Sequence, residues 1–297
     1  MKLKFTRVPN KYKNPFVING LRGSILISNS NKNQNILYVG NLLTGVDLNW
    51  HLLNYLQSFG NLTSVDLPGI GGMNSFRSID KQINLDNYVD YLISIIKSRY
   101  KNKRFVIFAD GFGLVIVTKL LLKYSKLSSQ VKIVICINGA LSSNCYDKVD
   151  LSYDIYGIFI HFKKLFNIKS KLSSPDRILK LNPYYKLDFQ DPSLDLYKTD
   201  RNYLRKLLDK NDYLTHLSLS KQLAELDITG KIKDVNLWNI HLSNSNIDKS
   251  KADESIRNIY SKYNKSSPKL SMLDILFDTN NSISNIFTLR LRKKLSK

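Results

Sequence analysis

Phe105-Val-Ile-Phe-Ala-Asp-Gly-Phe-Gly113 runs directly into Leu114-Val-Ile-Val-Thr-Lys-Leu-Leu-Leu-Lys-Tyr124. Five consecutive apolar residues read as a strand buried on both faces. The apolar stretch after them reads as a helix, and Gly111 and Gly113 mark a tight turn between the two. The same alternation extends to either side. Ile36-Leu-Tyr-Val39 is a second buried strand, within Gln34 to Val39. Asn49 to Phe59 places Trp50, Leu53, Leu56 and Phe59 on one helical face. Leu62 to Leu67 is strand-like and Pro68-Gly-Ile-Gly-Gly72 a loop. Leu85 to Ser98 is a helix with Tyr88, Leu92, Ile95 and Ile96 inward, and Val131 to Ile137 is a further strand. Upstream, Phe16 to Ser28 reads as a hairpin about Asn19-Gly20. Buried strands alternating with amphipathic helices predict an α/β fold: a mostly parallel central sheet with helices on both faces.

Residues 143–230 interrupt the alternation. Helical stretches are expected at Tyr153–Phe166, Asp176–Leu181 and Arg201–Leu226, with turns at Asn182-Pro183 and Asp191-Pro192. The reading is a helical lid inserted between a first core part, 1–142, and a second, 231–297. The second part contains a strand ending at Ile240, a helix at Lys251–Tyr263, a last strand at Lys269–Asp274 and a helical basic tail.

Composition limits the function classes. The 297 residues are 43% hydrophobic, enough for a large core. Cys136 and Cys145 are the only cysteines, too few to staple such a fold, and they favour a reducing compartment. A cytoplasmic location is expected, with the mitochondrial matrix as the alternative. Four histidines and two cysteines, far apart, give no metal site, and no cofactor fingerprint is present: Gly69 to Gly72 lacks the Lys-Ser/Thr of a phosphate loop. No apolar run is long enough to span a membrane. The net charge of +21 is spread along the chain. The first 46 residues carry seven basic residues and no acid. With no arginine block, the excess reads as a drift toward Lys, Asn, Ile and Tyr. A basic surface for nucleic acid or another anionic polymer stays open as an alternative.

Three motifs carry a resemblance. Ile36 to Gly45, Val65-Asp-Leu-Pro-Gly-Ile-Gly-Gly72 and Phe105 to Gly113 resemble, in order and spacing, the oxyanion loop, the Asp-Leu-Pro-Gly-x-Gly loop and the nucleophile elbow of the α/β-hydrolase superfamily. The resemblance implies that fold with an inserted lid. It also implies that Ala109 and Gly113 are the small residues that let the elbow close. The nucleophile position falls on Gly111, which has no side chain. The resemblance places the catalytic histidine after the last strand, around Thr279–Asn281, and no histidine is there. His51, His161, His216 and His241 all lie elsewhere. The acid position falls on Asn244 or Ser245, with Asp248 a few residues late. Asp110 is a second nucleophile candidate, but a frame shifted by one puts Phe108 and Phe112 where small residues are needed.

What the resemblance leaves is a backbone cradle at Gly40, Asn41 or Leu42, and Phe112, at the start of a helix, suited to an anion. The expectation is a non-catalytic member of the fold that engages a small anionic or acyl ligand or a protein partner. The alternatives are a serine-independent hydrolase using Asp110 and a basic protein on an anionic polymer or surface. A serine at Gly111 is expected to fit the elbow.

Overall fold

A computed structural model describes residues 8–30, 32–42, 45–145, 210–241, 247–266 and 282–295. Among the described residues one eight-stranded sheet runs in the order β1-β2-β4-β3-β5-β6-β7-β8. The strands are β1 (Lys13–Ile18), β2 (Leu21–Ser28), β3 (Asn35–Val39), β4 (Asn61–Val65), β5 (Phe105–Asp110), β6 (Val131–Ile137), β7 (Ile232–Ile240) and β8 (Tyr260–Ser266). β1, β2 and β4 pair antiparallel, and all pairings from β4 to β8 are parallel. The hairpin between β1 and β2 turns on Asn19 and Gly20, with φ of 50° and 82°. Two successive positive φ values match the right-handed twist of the strands.

Alternate strand residues feed two cores. Leu37, Val39, Phe105, Ile107, Ala109, Val134 and Cys136 meet α2 (Leu85–Arg99) and α3 (Phe112–Lys123). Ile36, Tyr38, Val106, Phe108, Ile133, Ile135 and Ile137 meet α1 (Trp50–Leu56). This two-residue period explains the unbroken apolar runs: both faces of each central strand are covered. Each buried Val, Leu, Ile or Phe among them contributes about 1.5–3 kcal/mol. Of the remaining helices, α4 (Tyr213–Ala224) packs Leu219 and Leu223 into the first core. α5 (Lys249–Arg257) starts at the cap Asp248, whose carboxylate accepts from the Ser250 and Lys251 amides. α6 (Ser282–Leu295) joins the second core through Leu291, and its Thr288 hydroxyl lies 3.0 Å from that of Tyr55.

The end of the sheet differs from expectation. The helix after β7 stops at Arg257, and the strand paired to β7 is Tyr260–Ser266. Ile256, Ile259, Tyr260 and Tyr263 stand at helical spacing, so periodicity continues the helix through them. In the fold, Ile256 fills the core from the helix. Ile259 and Tyr260 fill it from the turn and the strand, and the Tyr260 hydroxyl meets that of Thr118 at 3.0 Å. The expected strand at Lys269–Asp274, the lid helices at Tyr153–Phe166 and Asp176–Leu181, and positions 242–246 and 279–281 lie outside the described residues.

Candidate functional site

β5 ends at Asp110 and α3 starts at Phe112, so Gly111 alone makes the turn. Its φ of 45° and ψ of −107° lie where a side chain is strained. Its amide donates to the Ile137 carbonyl at 3.0 Å, which ties the turn to the end of β6. Gly113 is dictated by approach: a Cβ there would fall 2.3 Å from the Val39 carbonyl oxygen. A strand-turn-helix elbow is therefore built, with bare backbone at its apex.

Asn41 lies over that apex. It is buried, and its Oδ1 accepts from the Leu42 amide at 2.7 Å and from the Phe112 amide at 3.3 Å. The Phe112 amide is a first-turn donor with no partner inside its own helix. The two amides to which the resemblance gives the oxyanion position thus converge on a neutral amide oxygen of the chain itself. A Cβ at position 111 would lie 3.0–3.2 Å from the Asn41 amide group, so a serine there requires Asn41 to shift. The shift needed is a few tenths of an ångström at the end of the Asn41 side chain. The Phe112 ring stands edge-on to Tyr88 at 6.2 Å, and the Tyr88 hydroxyl donates to the Pro68 carbonyl at 2.6 Å.

Asp66 opens the loop after β4. It is buried and accepts the Val46 amide at 2.7 Å. A methyl group on Gly45 or Gly71 would fall 2.7 or 2.2 Å from its Oδ1. Burial pushes its pKa up to about 6, against the pull of the Val46 hydrogen bond. Beside it, Asp47 is bracketed by Lys13 at 2.9 Å and Lys210 at 3.1 Å. Burial alone would raise Asp47, but the two ammonium groups outweigh it and hold the carboxyl below its usual range.

The histidines are placed as follows. His51 is on α1, where burial lowers its pKa. His161 lies outside the described residues. His216 is buried on α4 with neither ring nitrogen hydrogen-bonded, and burial lowers its pKa to about 4, so it is neutral. His241, just past β7, is fully buried. Its Nε2 meets Asp253 Oδ1 at 2.7 Å and Asn239 Nδ2 at 3.4 Å. Asp253 also accepts the Tyr263 hydroxyl and lies 3.6 Å from Lys265. Burial would raise Asp253, yet the bonds from His241 and Tyr263 prevail and hold it low. This imidazole therefore ties β7 to α5 and β8. The sequence reading sets His241 apart from the catalytic position and does not single out Asp253. The available signal was an acid flanked by Ala252 and Ile256 on the inward face of α5.

Asp110 is half-buried, with its Oδ2 3.3 Å from the Tyr38 hydroxyl on the α1 side of the sheet. Cys136 is buried and its thiol is pushed up by burial and by Asp110. Cys145 is buried 3.8 Å from the Ser255 hydroxyl. Among the described residues no group of three or more His, Cys, Asp and Glu is placed to hold a metal, and no helix is long and apolar enough to cross a membrane.

No family model and no curated protein sequence matches the chain. Solved structures do. An enol-lactonase from Burkholderia xenovorans LB400 is 10% identical, with a TM-score of 0.64 over 96% of this chain and 100% of the other. A hydrolase from Pseudomonas aeruginosa PA01 is 9% identical, with a TM-score of 0.64 over 96% and 98%. A mutant meta-cleavage product hydrolase from Pseudomonas fluorescens IP01, complexed with acetates, is 12% identical, with a TM-score of 0.64 over 97% and 99%. At such identities these likenesses establish the fold alone.

Proposed function

We propose that this chain, which has the α/β-hydrolase fold, works without turnover, as a binding or scaffolding protein. The observation behind this reading is the closed elbow. Its apex, Gly111, offers no nucleophile, and its two oxyanion donors are engaged by Asn41 Oδ1. In acyl transfer those donors stabilise charge that develops on the substrate oxygen. Here they already have a partner, and that partner is tethered.

The remaining groups support the same reading. His241 is engaged with Asp253, and His216 is buried on α4. A serine-independent hydrolase would need Asp110 as nucleophile. Its carboxylate hydrogen-bonds Tyr38, and it precedes the apex by one residue. A small carboxylate can still occupy the cradle by displacing the Asn41 amide, because a charged acceptor bonds an N–H roughly twice as strongly as a neutral one. The two free, buried thiols fit a cytoplasmic location.

A fluorophosphonate probe tests the reading. The purified chain is expected to stay unlabelled, and Gly111→Ser combined with Asn41→Gly is expected to gain little ester hydrolysis. Single-site labelling of the unmodified chain, or steady turnover of an activated ester, overturns the proposal.

A further inference from the structure

The geometry points to a second functional surface at the opposite edge of the sheet: a ledge of cations that binds the phosphate backbone of a nucleic-acid duplex. The elbow lies at the C-terminal ends of the parallel strands. At their N-terminal ends, four turns meet that are far apart in sequence. The Asn61 amide donates to the Gln34 carbonyl at 2.7 Å, and Asn61 Nδ2 to the Lys32 carbonyl at 3.0 Å. Asn35 Nδ2 donates to the Arg104 carbonyl at 3.1 Å, and the Phe105 amide to the Gln130 carbonyl at 3.0 Å. Lys132 Nζ reaches Gln34 Oε1 at 3.0 Å. These bonds join the approaches to β3, β4, β5 and β6 into one hydrogen-bonded ledge.

Lys32, Lys101, Lys103, Arg104, Lys126 and Lys132 stand on this ledge, all exposed except the half-buried Lys132. No acidic residue occurs in 29–35, 57–61, 97–105 or 123–132. The ion pairs of the described residues involve none of these six cations. Lys132 meets a neutral amide, and Lys32 Nζ meets the Ser58 carbonyl. At the start of β7, next along the sheet, the exposed Lys231, Lys233 and Asp234 mix the two signs. Unpaired like charges on a fixed frame repel one another, and a polyanion removes that repulsion.

The partner follows from what else the ledge presents. Among the described residues the exposed large apolar ones are Val17 and Leu289, and neither lies on the ledge, so its described residues offer nothing to insert into a lipid surface. Of its rings, Phe59, Tyr100 and Phe105 are buried. Tyr124 is half-buried, with Lys97 and Lys123 over its ring at 5.9 and 5.6 Å and its hydroxyl donating to Asp90. No row of free ring faces is therefore presented on which successive bases of a single strand could stack. Lysine and arginine on turns match backbone phosphates without reading sequence.

Fluorescence anisotropy with a labelled DNA duplex of random sequence tests this, with the full chain at several salt concentrations. Six phosphate contacts predict a log–log salt slope of about −5, or roughly a thousandfold loss between about 50 and 200 mM salt. Lys101→Glu/Lys103→Glu/Arg104→Glu is expected to weaken binding at least about tenfold and to flatten the slope by about 3. Arg77→Glu/Lys81→Glu/Lys262→Glu makes the same change in net charge off the ledge and is expected to leave the slope in place. If the ledge variant fails to fold, Lys101→Gln/Lys103→Gln replaces it, with an expected flattening of about 2. Failure to bind the duplex, equal loss in ledge and control variants, or binding to phosphatidylserine vesicles in preference to the duplex overturns the proposal.

Discussion

The two edges of the sheet treat charge in opposite ways. Around the elbow, the charged groups and the cradle amides have partners within the chain: Asp47 has Lys13 and Lys210, Asp253 has His241 and Tyr263, and the Phe112 and Leu42 amides have Asn41. At the opposite edge, Lys101, Lys103 and Arg104 stand exposed on a turn with no counter-charge in the described ion pairs. Groups that have found internal partners contribute to folding. Groups held in place without partners contribute little to it and remain open to an external one. The elbow edge thus keeps its charges paired inside the chain, and the opposite edge holds its cations out for the proposed duplex.

The largest expected effect falls on a closed pair. His241→Ala leaves the Asp253 carboxylate buried without its imidazole, and removing one partner of a buried pair costs about 3–5 kcal/mol. A urea titration measures it. A loss under about 1 kcal/mol would show that Tyr263 and Lys265 satisfy the carboxylate alone and would weaken the contrast between the edges.

Asp66 sharpens the contrast by pH. Burial raises its folded pKa from 3.8 to about 6, so the folded chain holds this proton more tightly than the unfolded chain does. Its contribution is fully present below the unfolded value and is lost as pH rises through about 6. Between about pH 4 and 7.5 the loss amounts to roughly 3 kcal/mol, at 1.36 kcal/mol per pKa unit. Asp66→Asn keeps an acceptor for the Val46 amide and removes the titration. It is expected to be more stable than the parent at neutral pH by about 2 kcal/mol and to lose this part of the pH dependence. An unchanged pH profile would place the proton elsewhere.

Asn41→Ala strips the cradle of its tethered occupant. Two amide donors lose their acceptor, for a cost of about 1–3 kcal/mol. Acetate should then bind, raising the melting temperature of the variant more than that of the parent. Equal response of both proteins would mean that Asn41 does not occupy the anion position.

These effects differ in how far the sequence alone reveals them. β3, β5 and β6 are legible because both faces are buried and their apolar runs are continuous. The elbow is legible because Gly111 and Gly113 answer local demands, a positive φ and a close carbonyl. β8 is not, since Ile256, Ile259, Tyr260 and Tyr263 satisfy a helical period while two of them lie in a strand. Asn41 was legible as loop backbone only. Its side-chain role depends on an amide 71 residues away. The cationic ledge is hidden for the same reason. Its residues are scattered from Lys32 to Lys132, and only the order β4-β3-β5-β6 brings their turns together. A diffuse charge in sequence is thus no guide to its density on the surface.

The smallest expected effect completes the comparison. Lys101→Ala removes an exposed cation with no ion partner among the described residues, so folding stability should change by less than about 0.5 kcal/mol. Replacing Lys101, Lys103 and Arg104 together by alanine should slightly raise stability at low salt, because closely spaced like charges repel. That gain should fade as the screening length shrinks from about 30 Å at 0.01 M to about 3 Å at 1 M salt. Urea midpoints at both ends of that range measure it. A loss above about 1 kcal/mol at low salt would mean that these side chains hold the turn between α2 and β5 together. The ledge would then be as closed as the elbow, and the contrast between the two edges would fail.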